Sequence, residues 1–429
     1  MTAIDALLME RHREGRPVQV ALVGAGAIAR MIALQLLAPV IPGLRLAVVA
    51  NRTPEKAARC FTDAGQSQPV PVRTADELMT AIGAGRAAFT DDAFLPCQAN
   101  GIDVIVDATG TVEHGAAVAL RAISGGKHLV LVNAELDATL GPILRHKAGE
   151  AGTVITNTDG DEPGVAMTLI RYLRTLGLAP VAAGNLKGMI DPYRNPETQR
   201  DFAARAGQNP RIITSFADGT KLALEEAILA NATGFGVGRR GMYGPRCAHV
   251  REIAAHLPAE QMLAGGLVDY ALGAEPHTGA FVVVHEPHPE KRRHLAYLKM
   301  GDGPFYVFYT PYHLPHVQVA STIARAALQR DPTVAPAGAP VCEVIAVAKR
   351  DLKAGEVLDG VGGFTCYGTI DNAGTTVPAG CLPMGLSEGC VLRRDVGKDA
   401  ALTFDDVEVP SGRLADRLYA EQRAAFPPR

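Results

Sequence analysis

No uninterrupted apolar run of the roughly 18 residues that a membrane-spanning helix needs occurs in the sequence. Its opening, MTAIDALLMERHREGRP, is charged where a secretion signal would be apolar, so a cytoplasmic protein without a membrane partner is expected. Cysteine is scarce and unpatterned: seven residues at 60, 97, 247, 342, 366, 381 and 390, never spaced as CxxC. That odd, scattered set argues against a disulfide framework and against a structural zinc site. Neither sign of charge is in excess. The formal net charge is −3, and no Lys/Arg stripe marks a surface for nucleic acid or an anionic membrane. A small molecule is the expected partner.

What is present is apolar content sufficient for more than one core, 47 per cent over 429 residues, which implies two or three domains. Residues 18–23, VQVALV, read as a strand and run directly into GAGAIARMIALQLL, whose apolar residues recur at helical spacing. Gly24, Gly26 and Ala29 fill the positions of a GxGxxA turn, with Ala27 and Ile28 between them. In such a turn the first glycine allows the bend, the second admits backbone to a pyrophosphate, and the small third residue lets helix meet strand. A second strand, LRLAVVA, ends at residue 50 and is followed by Asn51-Arg52-Thr53, where an NAD site usually carries an acid. Arg52 in that place favours NADP, with NAD as the alternative. Further strands at IDVIVDATG and KHLVLVNAELD alternate with helical stretches, the pattern of a parallel doubly wound sheet. Thr109, Gly110, Asn133 and Glu135 fall at the carboxyl ends of those strands and are the expected nicotinamide-side residues; a plain turn and a helix N-cap are the alternative roles for Thr109-Gly110 and Asn133.

From about residue 159 the pattern changes. Asp159, Asp161 and Glu162 cluster before a helix starting near Pro163, where they suit either a divalent cation or the positive end of the helix, the second being favoured. Lys187, Asp191, Tyr193 and Arg194 lie on a Pro-bounded segment after the strand VAAGN; Lys187 and Asp191 are candidates for proton transfer and substrate binding. In SFADGTKLALEEAILANA, Asp218 and Gly219 make a turn, Thr220 suits a cap, and Lys221 enters the first helical turn, a poor place for an ammonium unless it is used. Lys221 is therefore the leading acid/base candidate and Lys187 its alternate, although Asp218 and Glu225 nearby would raise a lysine pKa. The stretch from His277 to His316 reads as three antiparallel strands, with His285, His288 and His294 at a solvated tip; Tyr312 and His313 close it as candidate substrate residues. A Pro/Ala linker at 331–340 precedes short strands and glycine turns.

Three stretches carry a family resemblance: VALVGAGAIAR with VIVDATGTVEHGA and GGKHLVLVNAELD; GNLKGMIDPYRNPETQ with TSFADGTKLALEEAILANATGF; and GPFYVFYTPYHLPHVQVASTIARAAL. The chain resembles homoserine-dehydrogenase-like NAD(P)-dependent oxidoreductases with a C-terminal SAF domain, a group that includes the non-classical 1-deoxy-D-xylulose 5-phosphate reductoisomerase-like proteins. The resemblance implies an α/β fold: a Rossmann domain at 1–158, an α+β substrate domain at 159–330 whose last helix packs back on the first domain, and a small β-clip at 341–410. It also implies a homo-oligomer. Homoserine dehydrogenases carry lysine in a TANK-like segment, and the Gfo/Idh sugar dehydrogenases carry it in EKP; this chain has Glu135 at the matching place, so neither activity transfers directly. The leading expectation is an oxidoreductase for a small polar hydroxy/oxo substrate, sugar- or polyol-derived and with or without phosphate, with Lys221, Lys187 and Asp218 catalytic and Asp161, Asp191, Tyr312 and His313 at the substrate. No metal is expected unless the protein is a reductoisomerase, which would add a divalent cation. The alternative of another class is a nicotinamide-binding sensor without turnover.

Overall fold

The computed structural model describes residues 3–38, 40–66 and 68–427, which divide into two compact units. One comprises Met1–Asp161 with Leu314–Ala335, the other Glu162–His313 with Pro336–Arg429.

The first unit is built on β1 (Val18–Val23), β2 (Leu44–Ala50), β3 (Val70–Pro71), β4 (Ala88–Thr90), β5 (Val104–Asp107), β6 (His128–Leu131) and β7 (Ile155–Asn157). All are parallel, in the order β3-β4-β2-β1-β5-β6-β7. The chain moves outward from β1 in one direction, then returns to its other side with β5. That reversal between β1 and β5 is the topological switch of a Rossmann-type sheet, where open α/β sheets bind ligands. The strands are apolar throughout because both faces are covered: Val18, Val20, Ala21 and Leu22 are each 0 per cent exposed. Burial of such a Val or Leu contributes about 1.5–3 kcal/mol. The Ala27–Leu37 helix buries Ala29, Ile32, Ala33 and Leu36, the i, i+3, i+4, i+7 stripe of an amphipathic helix. Against it packs the Pro315–Ala324 helix through Val319, Ile323 and Ala324, and Val334 then forms an antiparallel bridge to Asn157.

The second unit carries β8 (Ala179–Lys187), β9 (Leu267–Leu272), β10 (Ala280–His285) and β11 (Phe305–Thr310), ordered β11-β10-β8-β9. β10 is antiparallel to β8 and β11, while β8 and β9 are parallel. β12 (Cys342–Ala348) and β13 (Cys366–Asn372) form a separate antiparallel pair. One expectation is corrected here. The stretch 277–316 holds two strands, not three, because Pro289–Tyr297 is a helix. Its start signals are complete: His288 is the N-cap, accepting from the Glu290 amide at 3.2 Å, with Pro at the first turn. The helix buries no residue, so it lacks the apolar periodicity by which a helix is recognised in sequence. Among the described residues no helix is long and apolar enough to cross a membrane.

Candidate active site

In the first unit, Gly24 has φ +112°, and a Cβ there would stand 2.8 Å from the Ala108 carbonyl oxygen, so only glycine lets the loops after β1 and β5 approach. Gly26 is the N-cap of the Ala27–Leu37 helix and gives no side-chain cap, and a Cβ on it would meet no atom within 4 Å. The result is a bare helix N-terminus, with Ala27 and Ile28 in its first turn, opening at the sheet's switch point, which suits a pyrophosphate. The Asn51 side chain donates to the Thr53 carbonyl at 3.0 Å, and Arg52 beside it is exposed.

Behind the β5 loop lies a buried polar knot. Asp107, 0 per cent exposed, accepts from the Thr109 amide at 2.9 Å and from Asn133 Nδ2 at 3.0 Å. The same Asn133 amide reaches Thr109 Oγ1 at 3.2 Å and the Thr111 carbonyl at 2.9 Å, while its Oδ1 caps the next helix through the Leu136 amide. Asn133 is thus a brace for the Thr109–Gly110 turn, with its hydrogen-bonding capacity spent inside the protein; its place at the carboxyl end of β6 is as read, but its side chain serves the loop. Gly110, at φ +66°, is exposed, and Glu135 stands part-exposed in the first turn of the Ala134–Glu150 helix.

The second unit concentrates charge at one end of β8. The strand's two faces differ: Ala182 and Leu186 join an apolar core, while Asn185 and Lys187 point to the face covered by the Glu162–Thr175 and Thr220–Thr233 helices. Lys187 Nζ lies 2.5 Å from Glu162 Oε2 and 3.4 Å from Glu225 Oε2. Asn185 Nδ2 donates to the same two oxygens at 3.0 and 3.1 Å, holding the carboxyls side by side. Glu162 and Glu225 are 1 and 3 per cent exposed. Lys221, one helical turn before Glu225, places Nζ 3.7 Å from its Oε1, and His313 Nε2 lies 4.0 Å from Glu162 Oε1. Lys187, Lys221 and His313 keep 22, 14 and 30 per cent of their side chains exposed, so they are the faces of the cluster that a ligand can reach.

The electrostatics divide the roles. Burial works against the Lys187 ammonium, but the two glutamates together outweigh it and hold its pKa above the ordinary lysine value. Burial, then the neighbouring Glu162 carboxylate and a hydrogen bond between the two acids, pushes the Glu225 carboxyl up to about 7 against the pull of Lys187. Glu225 therefore exchanges its proton near neutrality. Behind it, Glu226 is 0 per cent exposed with no hydrogen-bond partner on either oxygen; burial and then Asp269, Glu162 and Glu225 hold its carboxyl well above the usual carboxylate range.

Other candidate residues stand elsewhere. Asp218 does not join the cluster: 1 per cent exposed, it pairs with Lys349 at 2.7 Å and accepts from the Thr220 amide at 2.8 Å. Its carboxylate, read as a candidate for proton transfer, is buried and engaged by Lys349. The helix N-cap is Gly219 at φ +86°, and Thr220 Oγ1 instead accepts from the Gly368 amide. Asp191 holds Arg194 Nε at 3.0 Å and the Tyr193 amide at 3.2 Å within its own loop. Tyr312 is 50 per cent exposed, and Asp161 is buried. Asp159 is 3.9 Å from Arg325. Among the described residues no group of three or more His, Cys, Asp or Glu side chains is placed to hold a metal ion. In the sequence Glu162 reads as a helix-start charge and Glu225 only as a neighbour of Lys221; spacing alone does not bring together residues 25 and 38 positions from Lys187.

Residues 160–319 match the family described as oxidoreductase DRL, catalytic domain, a span that contains Glu162, Lys187, Lys221, Glu225 and His313. No curated protein sequence matches the chain. Among solved structures, a probable dehydrogenase from Thermotoga maritima is similar at 12% identity and TM-score 0.41, covering 75% of this chain and 91% of its own. The myo-inositol dehydrogenase of Lactobacillus casei in complex with NAD(H) and myo-inositol is similar at 13% identity and TM-score 0.41, covering 75% and 88%. The apo scyllo-inositol dehydrogenase of Lactobacillus casei is similar at 10% identity and TM-score 0.43, covering 74% and 89%. At these scores the likenesses carry no weight of their own, and the α/β fold rests on the sheet order. With a Rossmann-type nucleotide crevice in one unit and an oxidoreductase catalytic segment in the other, the chain is an NAD(P)-dependent oxidoreductase.

Proposed function

We propose that this oxidoreductase interconverts the hydroxyl and carbonyl forms of a small polar compound, sugar- or polyol-derived, with Lys187 at the reacting oxygen. The observation that carries the reading is the Lys187 ammonium held between Glu162 and Glu225 within the matched catalytic segment. Gly24, Gly26, Ala27 and Ile28 would hold the pyrophosphate, Asn51 and Arg52 the adenosine ribose, and Thr109, Gly110 and Glu135 the nicotinamide end. Arg52, in place of an acid, favours the 2′-phosphate of NADP. When bound, the nicotinamide supplies or accepts the hydride.

The protein's part is orientation and the proton. As an ammonium, Lys187 donates a charge-assisted hydrogen bond to the carbonyl oxygen and polarises it. In the reducing direction it passes that proton to the developing alkoxide and recovers one from Glu225, whose proton affinity near pH 7 suits a reversible donor. In the oxidising direction the proton runs back. Lys221 and His313, the other accessible groups of the cluster, serve as ligands for the substrate's remaining oxygens, with Tyr312 next to His313 in sequence. A thermal-shift screen of NADPH and NADH with sugar phosphates, polyols and aldonates tests the reading, because a ligand of the native state raises its melting temperature. A rise with dinucleotide and a further rise with a polyol or sugar class supports it; a folded protein that ignores both dinucleotides sinks it.

A further inference from the structure

Lys349 follows β12 directly and is 5 per cent exposed, a rare place for an unshared ammonium. All three of its N–H donors are used: on Asp218 Oδ2 at 2.7 Å, on the Arg194 carbonyl at 2.7 Å and on the Gly363 carbonyl at 2.8 Å. The first two acceptors belong to the segments that flank the active cluster. Arg194 lies on the irregular run leaving β8 after Lys187, and Asp218 closes the Pro210–Ala217 helix one residue before the Gly219 cap of the helix presenting Lys221 and Glu225. The two runs are also joined to each other, the Asp191 amide donating to the Ala217 carbonyl at 2.9 Å.

β13 continues the same support. The Gly368 amide donates to Thr220 Oγ1 at 2.8 Å, and a Cβ at Gly368 would stand 2.9 Å from the Thr220 methyl, so strand and helix start meet without room to slide. On the outer side Tyr193 sets its hydroxyl 3.0 Å from Asp399 Oδ2, with Lys398 Nζ 3.5 Å from its ring centroid. The ties of Lys349 to Asp218 and Arg194, of Gly368 to Thr220 and of Asp399 to Tyr193 run from residues beyond 341 to the two segments that carry Lys187 and Glu225.

We propose that Lys349 is a positioning residue through which the C-terminal part of the chain sets the geometry of the Lys187–Glu162–Glu225 cluster. The proposal rests on the cluster being the catalytic one, yet it is tested without substrate. Lys349 touches none of the three side chains; it acts through the backbone of the segments that carry them. The pH at which Glu225 gives up its proton reports that geometry, since it depends on burial, on Glu162 and on Lys187 and Lys221. Replacing Lys349 and Asp218 together, K349M with D218N, removes one positive and one negative charge, so a changed Glu225 titration comes from displaced geometry and not from altered net charge.

The experiment is a carbon-13 carboxyl NMR titration of the full chain labelled at glutamate, assigned with E225Q. The wild-type midpoint for Glu225 is expected near 7. In the K349M/D218N variant it moves down by about one pH unit or more, while NADPH affinity stays unchanged. The control is Glu343→Gln, a buried acid that accepts from Thr376 and Tyr419 within the same C-terminal part; it lowers the melting temperature and leaves the Glu225 midpoint in place. Should the double variant not fold, K349Q with D218N, which likewise removes one charge of each sign, is read in the same way. An unmoved midpoint in a folded variant, or an equal movement in Glu343→Gln, overturns the proposal. Absence of turnover with any substrate would defeat the functional reading but not this titration.

Discussion

Substituting Glu225 by Gln removes the titrating member of the cluster while preserving its shape and its acceptor for Lys187 and Asn185. The carboxyl of Glu225 is raised from its usual 4.5 to about 7. Its folded-state affinity for a proton therefore exceeds its unfolded-state affinity, and the native protein holds the extra proton between those two pH values. The stability so contributed is complete below about pH 4.5 and is lost as pH rises through about 7. A difference of about two and a half pH units at 1.36 kcal/mol per unit gives about 3 kcal/mol in full, and about 2–3 kcal/mol between pH 5 and pH 8. The glutamine variant has no such proton, so it should gain that amount over the wild type as pH is raised across this window. Paired urea denaturation curves at pH 5 and 8, followed by far-ultraviolet circular dichroism, measure the change. Glu162 keeps its contact with Lys187 in the variant. Curves for wild type and variant that keep a constant separation from pH 5 to 8 would refute the raised proton affinity of Glu225.

Two further outcomes concern the nucleotide crevice. Gly26→Val should abolish dinucleotide binding without unfolding the chain, because the added side chain projects into the open space above the helix N-terminus, where no protein atom lies within 4 Å; unchanged affinity by calorimetry in a folded variant would remove the pyrophosphate from residues 24–29. Arg52→Ala should weaken NADPH more than NADH, by about tenfold to a hundredfold for a charge-assisted contact of about 1.5–3 kcal/mol; equal losses for both would make Arg52 a bystander.

Much of the first unit is legible in the sequence because its determinants are local. Strand, glycine turn and helix occupy consecutive residues from Val18 to Leu37, and both β1 and β2 end where the apolar runs end. Lys221 is likewise found in the first turn of its helix, since a turn and a helical apolar stripe adjoin it. The active cluster is a different matter. Glu162, Lys187 and Glu225 meet because two helices cover one face of β8, a fact of topology that no spacing announces. Asp218 illustrates the limit most clearly: it was read as a partner for nearby Lys221, whereas its charge is met by Lys349, 131 residues away. The Pro289–Tyr297 helix escaped because it covers nothing, and an element without a buried face leaves only its caps as a signal.

The role proposed for Lys187 is to hand a proton to the substrate oxygen. Its most direct test compares wild type, Lys187→Met and Lys221→Met in NADPH binding and in steady-state turnover, with whichever polyol, aldonate or sugar phosphate raises the melting temperature of the wild type. Lys187→Met is expected to bind NADPH within about twofold of wild type and to lose about 10²-fold or more in kcat, with Lys221→Met acting mainly on KM. A Lys187→Met protein that turns over at the wild-type rate, or a wild type that binds NADPH and turns over none of these substrates, as a nicotinamide sensor would, contradicts it.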